Sequence, residues 1–175
     1  ALPIYGKSAN GTAFQFNACN INQFDNLVCS TNYTTMTTIP YNGIVLDTGT
    51  RSGIGLGSST NNTFNGSIIE GVAFGLSLVY ADQNTFVGGT TESCTITGVA
   101  TSANARFNTF IGHAAESNTS YDINDNGKSQ QFINCYSLGV VILAGTGAKI
   151  SGGLYQKINS QGTKNCVRSE EHTSE

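Results

Sequence analysis

Three segments decide how this chain reads: Asn62-Thr63-Phe64-Asn65-Gly66, Asn84-Thr85-Phe86-Val87-Gly88 and Asn108-Thr109-Phe110-Ile111-Gly112. A degenerate fourth, Gln130-Gln131-Phe132-Ile133-Asn134, follows them, and Ala148-Lys149-Ile150-Ser151-Gly152 continues the series more weakly. The four Phe residues are separated by 22, 24 and 22 positions. Six residues beyond the Phe of the clean copies stand Glu70, Glu92 and Glu116, with Leu138 at that offset in the fourth. Three matches to N-T-F-x-G-x3-E in one register mark an internal repeat, the signature of stacked structural units.

A period near 22 leaves no room for two packed helices with their turns. The segments between motifs, such as 68–69, 76–80, 95–99 and 140–143, are short apolar or β-branched runs bounded by Gly, Asn and Ser. That is the pattern of strands and tight turns. A repeat of this length at about 3.3 Å per residue makes one circuit of three short strands, and circuits stack at about 4.8 Å. The expected fold is therefore all-β: a right-handed, single-stranded parallel β-helix, a solenoid of ~22-residue coils. Leucine-rich repeats share the period, but their L-x-x-L-x-L-x-x-N pattern is absent.

In such a stack each position lies above its counterpart. Phe64, Phe86, Phe110 and Phe132 should form an interior aromatic ladder. Asn62, Asn84 and Asn108 should hydrogen-bond amide to amide between circuits. The Gly that follows each Phe suits a bend or a positive φ. Residues 1–40 repeat less regularly, although 12–19 resemble 130–135 loosely, and 29–41 read as an outward loop. No linker divides the chain, so residues 1–167 count as one domain. The last eight, 168–175 (RSEEHTSE), are charged unlike anything before them. They resemble the translation of a short-read sequencing adapter, and on that reading they are not native sequence and the chain is a fragment.

Composition narrows the rest. With 11% charged residues, nine Phe and seven Tyr the chain should fold rather than stay disordered. A net charge of −3, with eight Lys and Arg and no basic cluster, gives no reason to expect nucleic acid as a partner. No apolar run is long enough to insert in a membrane, and no signal peptide is visible. Five cysteines (Cys19, Cys29, Cys94, Cys135, Cys166) show no metal-binding spacing and read as buried small hydrophobes, Cys19–Cys29 being the one pair worth checking for a bridge. No metal site and no cofactor is expected.

The Glu column is the richest chemical feature. Glu70, Glu92 and Glu116 should lie on one line, neighbours about 5 Å apart and the outer pair about 10 Å. Carboxyl pairs at separations of roughly 5–9 Å serve glycoside hydrolysis, so a catalytic role for these three, with Asp82 as a further acid, is chemically open. The competing reading is structural: a Glu beside a turn accepts backbone N–H bonds, and a repeated turn repeats its Glu. His113, three residues before Glu116, is an acid–base or ligand-binding candidate, set against a plain hydrogen-bonded role. Asp82, Arg106 and Lys128 share one offset before the Phe and suggest a surface ion pair between circuits. Asp122-Ile123-Asn124-Asp125-Asn126-Gly127 opens like a calcium loop but has Ile133 where the bidentate Glu belongs, so it reads as an Asn/Asp/Gly turn.

The N-T-F-x-G-x3-E pattern, with Tyr121-Asp122-Ile123 ahead of the next circuit, resembles the pectate-lyase-like superfamily of right-handed β-helices. Within it, residues 40–160 are most similar to tailspike and tail-fibre β-helix domains of bacteriophages and prophages. The resemblance implies a homotrimer on a virion tail that binds or cleaves bacterial surface polysaccharide; a secreted or cell-surface setting is the alternative. The polygalacturonase signatures N-T-D, D-D and R-I-K are missing, and Gly112-His113 lacks the second Gly of G-H-G. The chain has no Trp, so sugar stacking would fall to Tyr80, Tyr121 or Tyr136. The expected function is glycan binding, with a polysaccharide-degrading hydrolase or lyase and a purely structural spacer or adhesin as alternatives.

Overall fold

A computed structural model describes residues 11–30, 41–47, 49–51 and 55–168. The expected readings of 1–10, of most of the 29–41 loop and of 169–175 lie outside those residues. The fold is all-β, and its sheets are parallel except for one hairpin, Gly49–Arg51 with Gly55–Gly57. No helix among the described residues is long and apolar enough to cross a membrane.

Each repeat contributes to the same two large sheets. The first is seven-stranded: Gln23–Asp25, Thr63–Asn65, Thr85–Val87, Thr109–Ile111, Gln131–Ile133, Lys149–Ser151 and Cys166–Arg168 lie side by side in that order. Phe24, Phe64, Phe86, Phe110, Phe132, Ile150 and Val167 occupy one register position across it. The second has eleven strands and doubles back. It runs from Thr12–Asn17 through Asn42–Asp47, Phe74–Leu78, Thr97–Thr101 and Tyr121–Asp125 to the long strand Tyr136–Leu143. From there it returns through Ala114–Glu116, Thr90–Glu92 and Ile68–Glu70 to Val28–Ser30, while the eleventh strand, Leu154–Ser160, pairs with Tyr136–Leu143 off this path.

The reason for such short strands is visible in the backbone. Three residues before each Phe-column position stands a residue with φ of 54–72°: Asn61, Gln83, Phe107, Ser129 and Gly147, with Ile21 and Lys164 in the end repeats. Two residues after it comes another, at Asn26, Gly66, Gly88, Gly112, Asn134 and Gly152. A strand pinned between two left-handed corners has room for one inward side chain, and Phe fills it. The rings stack with centroids 4.8–5.0 Å apart from Phe24 to Phe132, their planes nearly parallel from Phe64 onward. At strand spacing, that is the offset-parallel contact that aromatic quadrupoles favour.

The Asn ladder forms as expected and extends further. Asn62 Nδ2 donates to Asn84 Oδ1 at 2.9 Å, and Asn84 Nδ2 to Asn108 Oδ1 at 3.0 Å. Gln130 Oε1 then accepts the Asn108 N–H, and Asn22 Nδ2 reaches Asn62 Oδ1 at the other end. Asn62, Asn84, Asn108 and Gln130 are buried, and each accepts a backbone N–H from the preceding repeat. An unmet N–H there would cost about 1–3 kcal/mol.

Three expectations need correction. The matching strand of the first repeat is Gln23–Asp25, not 12–19: Asn22 precedes Phe24 as Asn62 precedes Phe64, and a spacing of 40 residues hides the match. Residues 12–17 form a longer strand paired with Asn42–Asp47. Secondly, the period shortens after Phe132 to 18 and then 17 residues. Where earlier repeats break between their second and third strands, Tyr136–Leu143 runs straight through with a bulge between Ser137 and Val140, so the corner residues are unnecessary. Thirdly, 121–125 is a strand rather than a turn. Asp122 is fully buried; Ser137 Oγ and the Gly139 N–H donate to its Oδ2, and Asn118 donates to its Oδ1. All five cysteines are free thiols, with Cys29, Cys94 and Cys135 buried.

Candidate functional site

The Glu column is built by a second kind of corner. Within Ile68–Glu70, Thr90–Glu92 and Ala114–Glu116 the middle residue, Ile69, Thr91 or Ala115, is fully buried. Alternation along a strand then turns each Glu to the outer face. The next residue, Gly71, Ser93 or Ser117, takes φ of 70, 54 and 58°. Its N–H bonds to the carbonyl of the Glu one repeat on: Gly71 to Glu92 at 3.1 Å and Ser93 to Glu116 at 3.2 Å. Glu70, Glu92 and Glu116 are thus direct register neighbours. Ser30 heads the column, and its Oγ donates to Glu70 Oε2 at 2.7 Å. The column stops where the corner disappears, at the exposed Leu138.

The structural explanation of these glutamates requires their carboxylates to accept backbone N–H groups at the turns. They do not: the carboxylates of Glu92 and Glu116, both residues half-buried, have no hydrogen-bond or ion-pair partner among the described residues. The fold therefore holds two adjacent carboxylates open, at about 4.8 Å strand spacing.

The other expected site residues do not join this column. Asp82 lies in a separate short parallel ladder, outside both large sheets, in the column Thr60, Asp82, Arg106, Lys128. There Asp82 Oδ1 faces Arg106 Nε at 3.9 Å, the ion pair expected from sequence. At that distance no hydrogen bond forms, and the buried Oδ1 has no hydrogen-bond partner. Tyr80, 37% exposed, sits just ahead of the Asp82 strand, and Tyr121 is half-buried at the start of its own strand, beyond the Glu corner.

His113 is inside the protein, 3% exposed. Its Nδ1–H donates to the Gly88 carbonyl at 3.1 Å, which leaves Nε2 to accept from Thr91 Oγ1 at 3.3 Å. Burial depresses its pKa to about 4, so it is neutral at physiological pH and faces away from Glu116. Of these candidates, then, Glu70, Glu92 and Glu116 share one solvent-facing column. Ser30 was missed from sequence, yet the offset that finds the glutamates finds it too: it stands six residues after Phe24.

Among the described residues no group of three His, Cys, Asp or Glu side chains is arranged to hold a metal ion. No protein-family model, curated protein or solved structure matches the chain.

Proposed function

We propose that this chain is a right-handed parallel β-helix whose Glu column binds bacterial surface polysaccharide, as the receptor-contacting shaft of a tailspike-like protein. Parallel pairing of every repeat with the next, in constant register, supports the helical architecture. The observation that carries the binding role is the pair Glu92 and Glu116, which the fold aligns and leaves without partners. Carboxylates in that state are strong acceptors for sugar hydroxyls, and a column at about 4.8 Å intervals offers a row of them along an extended chain. Ser30 at the head of the column, and Ser93 and Ser117 beside Glu92 and Glu116, supply neutral donors and acceptors.

The test is binding of capsular and O-antigen polysaccharides to the folded protein, with Glu92→Gln and Glu116→Gln compared. Losing a charge-assisted bond should weaken binding roughly tenfold per site, while stability stays within about 0.5 kcal/mol. Unchanged affinity in both variants would exclude the column as the binding site.

A second reading, polysaccharide cleavage, is favoured by the spacing. Adjacent and next-but-one carboxylates at about 5 and 10 Å bracket the separations of retaining and inverting glycosidases. New reducing ends would identify a hydrolase, and unsaturated sugars a lyase. Activity that survives Glu→Gln change at 70, 92 and 116 would exclude this column as its source.

A further inference from the structure

We infer that a shallow apolar recess beside the Glu column, floored by Ala114 and closed by the ring of Tyr136, seats a neutral or amine-bearing sugar and rejects acidic ones. The inference rests on the glycan-binding reading of the column and names the class of sugar that the column takes.

In every strand that carries a Glu, the residue two before it also faces outward, because the one between is buried. The same alternation holds in the flanking strands, where Cys29 and Ser137 are the buried residues. A second outward column therefore runs in direct register: Val28, Ile68, Thr90, Ala114, Tyr136 and Leu154. None of these is charged, and only Thr90 and Tyr136 carry a hydroxyl. The Thr90 hydroxyl is shut off from solvent, so that side chain shows its methyl group. Ile68 is 38% and Leu154 58% exposed, and Leu138, where the Glu column ends, is 44% exposed. The outer face is thus split lengthwise into an acidic column and an apolar one.

The apolar column is uneven. Thr90 and Ala114 are small and stand between the bulkier Ile68 and Tyr136, three strand spacings or about 14 Å apart. The dip lies in the two repeats whose carboxylates have no partner, and each Glu is about 6.5 Å along the strand from its floor. Tyr136 makes no ring contact and no side-chain hydrogen bond among the described residues, and Ala114 sets only a methyl group beside it. Of the three tyrosines open to sugar stacking, Tyr136 alone shares this face. Tyr121 pairs with Thr97 beyond the Glu corner, and Tyr80 precedes the Asp82 strand.

The carboxylates alone would take any cation; the apolar column beside them is what points to a sugar. A sugar ring carries C–H groups on its faces and hydroxyls around its edge, and the recess has the same division. A ring face on Tyr136 and Ala114 brings edge hydroxyls to Glu92 and Glu116. Charge then sets the class. Glu70, Glu92 and Glu116 are register neighbours, and none pairs with a base among the described residues. Lys157, opposite Val140, stands two strands beyond Glu116. A sugar carboxylate would meet like charge here, whereas a protonated amine gains a charge-assisted bond.

The test measures binding of the full chain to β-1,4-linked oligosaccharides of glucose, glucosamine and glucuronic acid, which share a backbone and differ in charge. Glucosamine should bind tightest, glucose next, and glucuronic acid at least tenfold more weakly than glucose. Tyr136→Ala, and Ala114→Leu, which fills the recess and removes nothing, should each weaken the first two about tenfold. Circular dichroism and melting should show Ala114→Leu as well folded as the parent. Tyr136→Phe, Tyr80→Ala and Tyr121→Ala should bind as the parent does. Glucuronic acid bound as well as glucose, parental affinity in Tyr136→Ala and Ala114→Leu, or no binding of any of the three would each overturn the inference. The glycan reading of the column survives such a result if Glu92→Gln and Glu116→Gln still weaken binding of a surface polysaccharide, and falls with it if they do not.

Discussion

Replacing Asn84 tests the claim that buried amides, as much as rings, hold successive repeats in register. The Asn84 side chain makes four hydrogen bonds at 2.9–3.0 Å. Its Oδ1 accepts from the Asn62 backbone N–H and from Asn62 Nδ2, and its Nδ2 donates to the Ser59 carbonyl and to Asn108 Oδ1. Asn84→Ala leaves the Asn62 N–H without an acceptor, at about 1–3 kcal/mol, and removes the other three bonds at roughly 0.5–1.5 kcal/mol each. Asn62 Nδ2 keeps the Cys19 carbonyl and Asn108 Oδ1 keeps the Asn84 N–H, which softens two of those losses. The expected cost is about 3–5 kcal/mol, a large share of a typical domain's 5–15 kcal/mol. Asn84→Asp has the same shape but sets a carboxylate oxygen against two acceptors. Its folded pKa must lie above the unfolded value of about 3.9, so the added penalty is full at neutral pH and disappears as pH falls toward 4. Urea unfolding at pH 7 and pH 4.5 should show Asp worse than Ala at the first and the gap closing at the second. The exposed Asn104→Asp serves as a control expected within about 0.5 kcal/mol. An Ala variant within 1 kcal/mol of the parent, or an Asp variant without pH dependence, would refute the ladder's energetic role.

Other expectations follow from the same geometry. Phe110→Ala removes a ring stacked on both sides and should cost about 3–5 kcal/mol in urea unfolding, whereas Phe107→Asn, at an exposed left-handed position, should cost nothing measurable. His113 binds its proton far more weakly when folded, with a pKa of about 4. The stability it confers is present above an unfolded pKa near 6.5 and is lost as pH falls toward 4, by about 1.4 kcal/mol per unit. Stability measured against pH should show that slope, and His113→Gln should flatten it. Asp125 has the opposite sign: burial raises its pKa, and Oδ2 has no partner, so its charged form burdens the fold at neutral pH. Asp125→Asn keeps an acceptor for Thr101 and Gly127 and should leave melting at pH 7 unchanged or raise it.

Much of this was legible because the repeat places equivalent residues at equal offsets. The Phe and Asn ladders, the Glu column and the Asp82–Arg106 pair all follow from residue counting. What failed was anything that changes the count. Phe24 was hidden by a 40-residue spacing, and the shortened repeats after Phe132 by the straight strand Tyr136–Leu143, which dispenses with a corner. His113 was unreadable for a different reason. Three-residue strands carry too little alternation to fix a facing direction, and the left-handed corners between them reset the phase, so a polar residue beside a corner can point either way. Only the Gly88 carbonyl and the Thr91 hydroxyl, both a repeat away, make an inward His affordable.

Those corners also decide how the Glu column should be weighed. Residues in left-handed conformations cluster at active sites in many proteins, and Ser93 and Ser117 adjoin Glu92 and Glu116 in just that state. Here the correlation carries no information, because eleven non-glycine residues among those described share the conformation, and seven of them do not adjoin an acid in sequence. Strain of this kind belongs to the repeat itself. The evidence for function is narrower: the buried Asn62, Asn84, Asn108 and Asp122 side chains all find hydrogen-bond partners, whereas the half-buried Glu92 and Glu116 carboxylates, aligned in one column, have none among the described residues. Ser93→Gly and Ser117→Gly separate the two ideas. Relief of left-handed strain should raise stability by up to about 1 kcal/mol, while glycan affinity, if it resides in the carboxylates, stays unchanged. A loss of affinity in these glycine variants would instead assign binding to the corner hydroxyls.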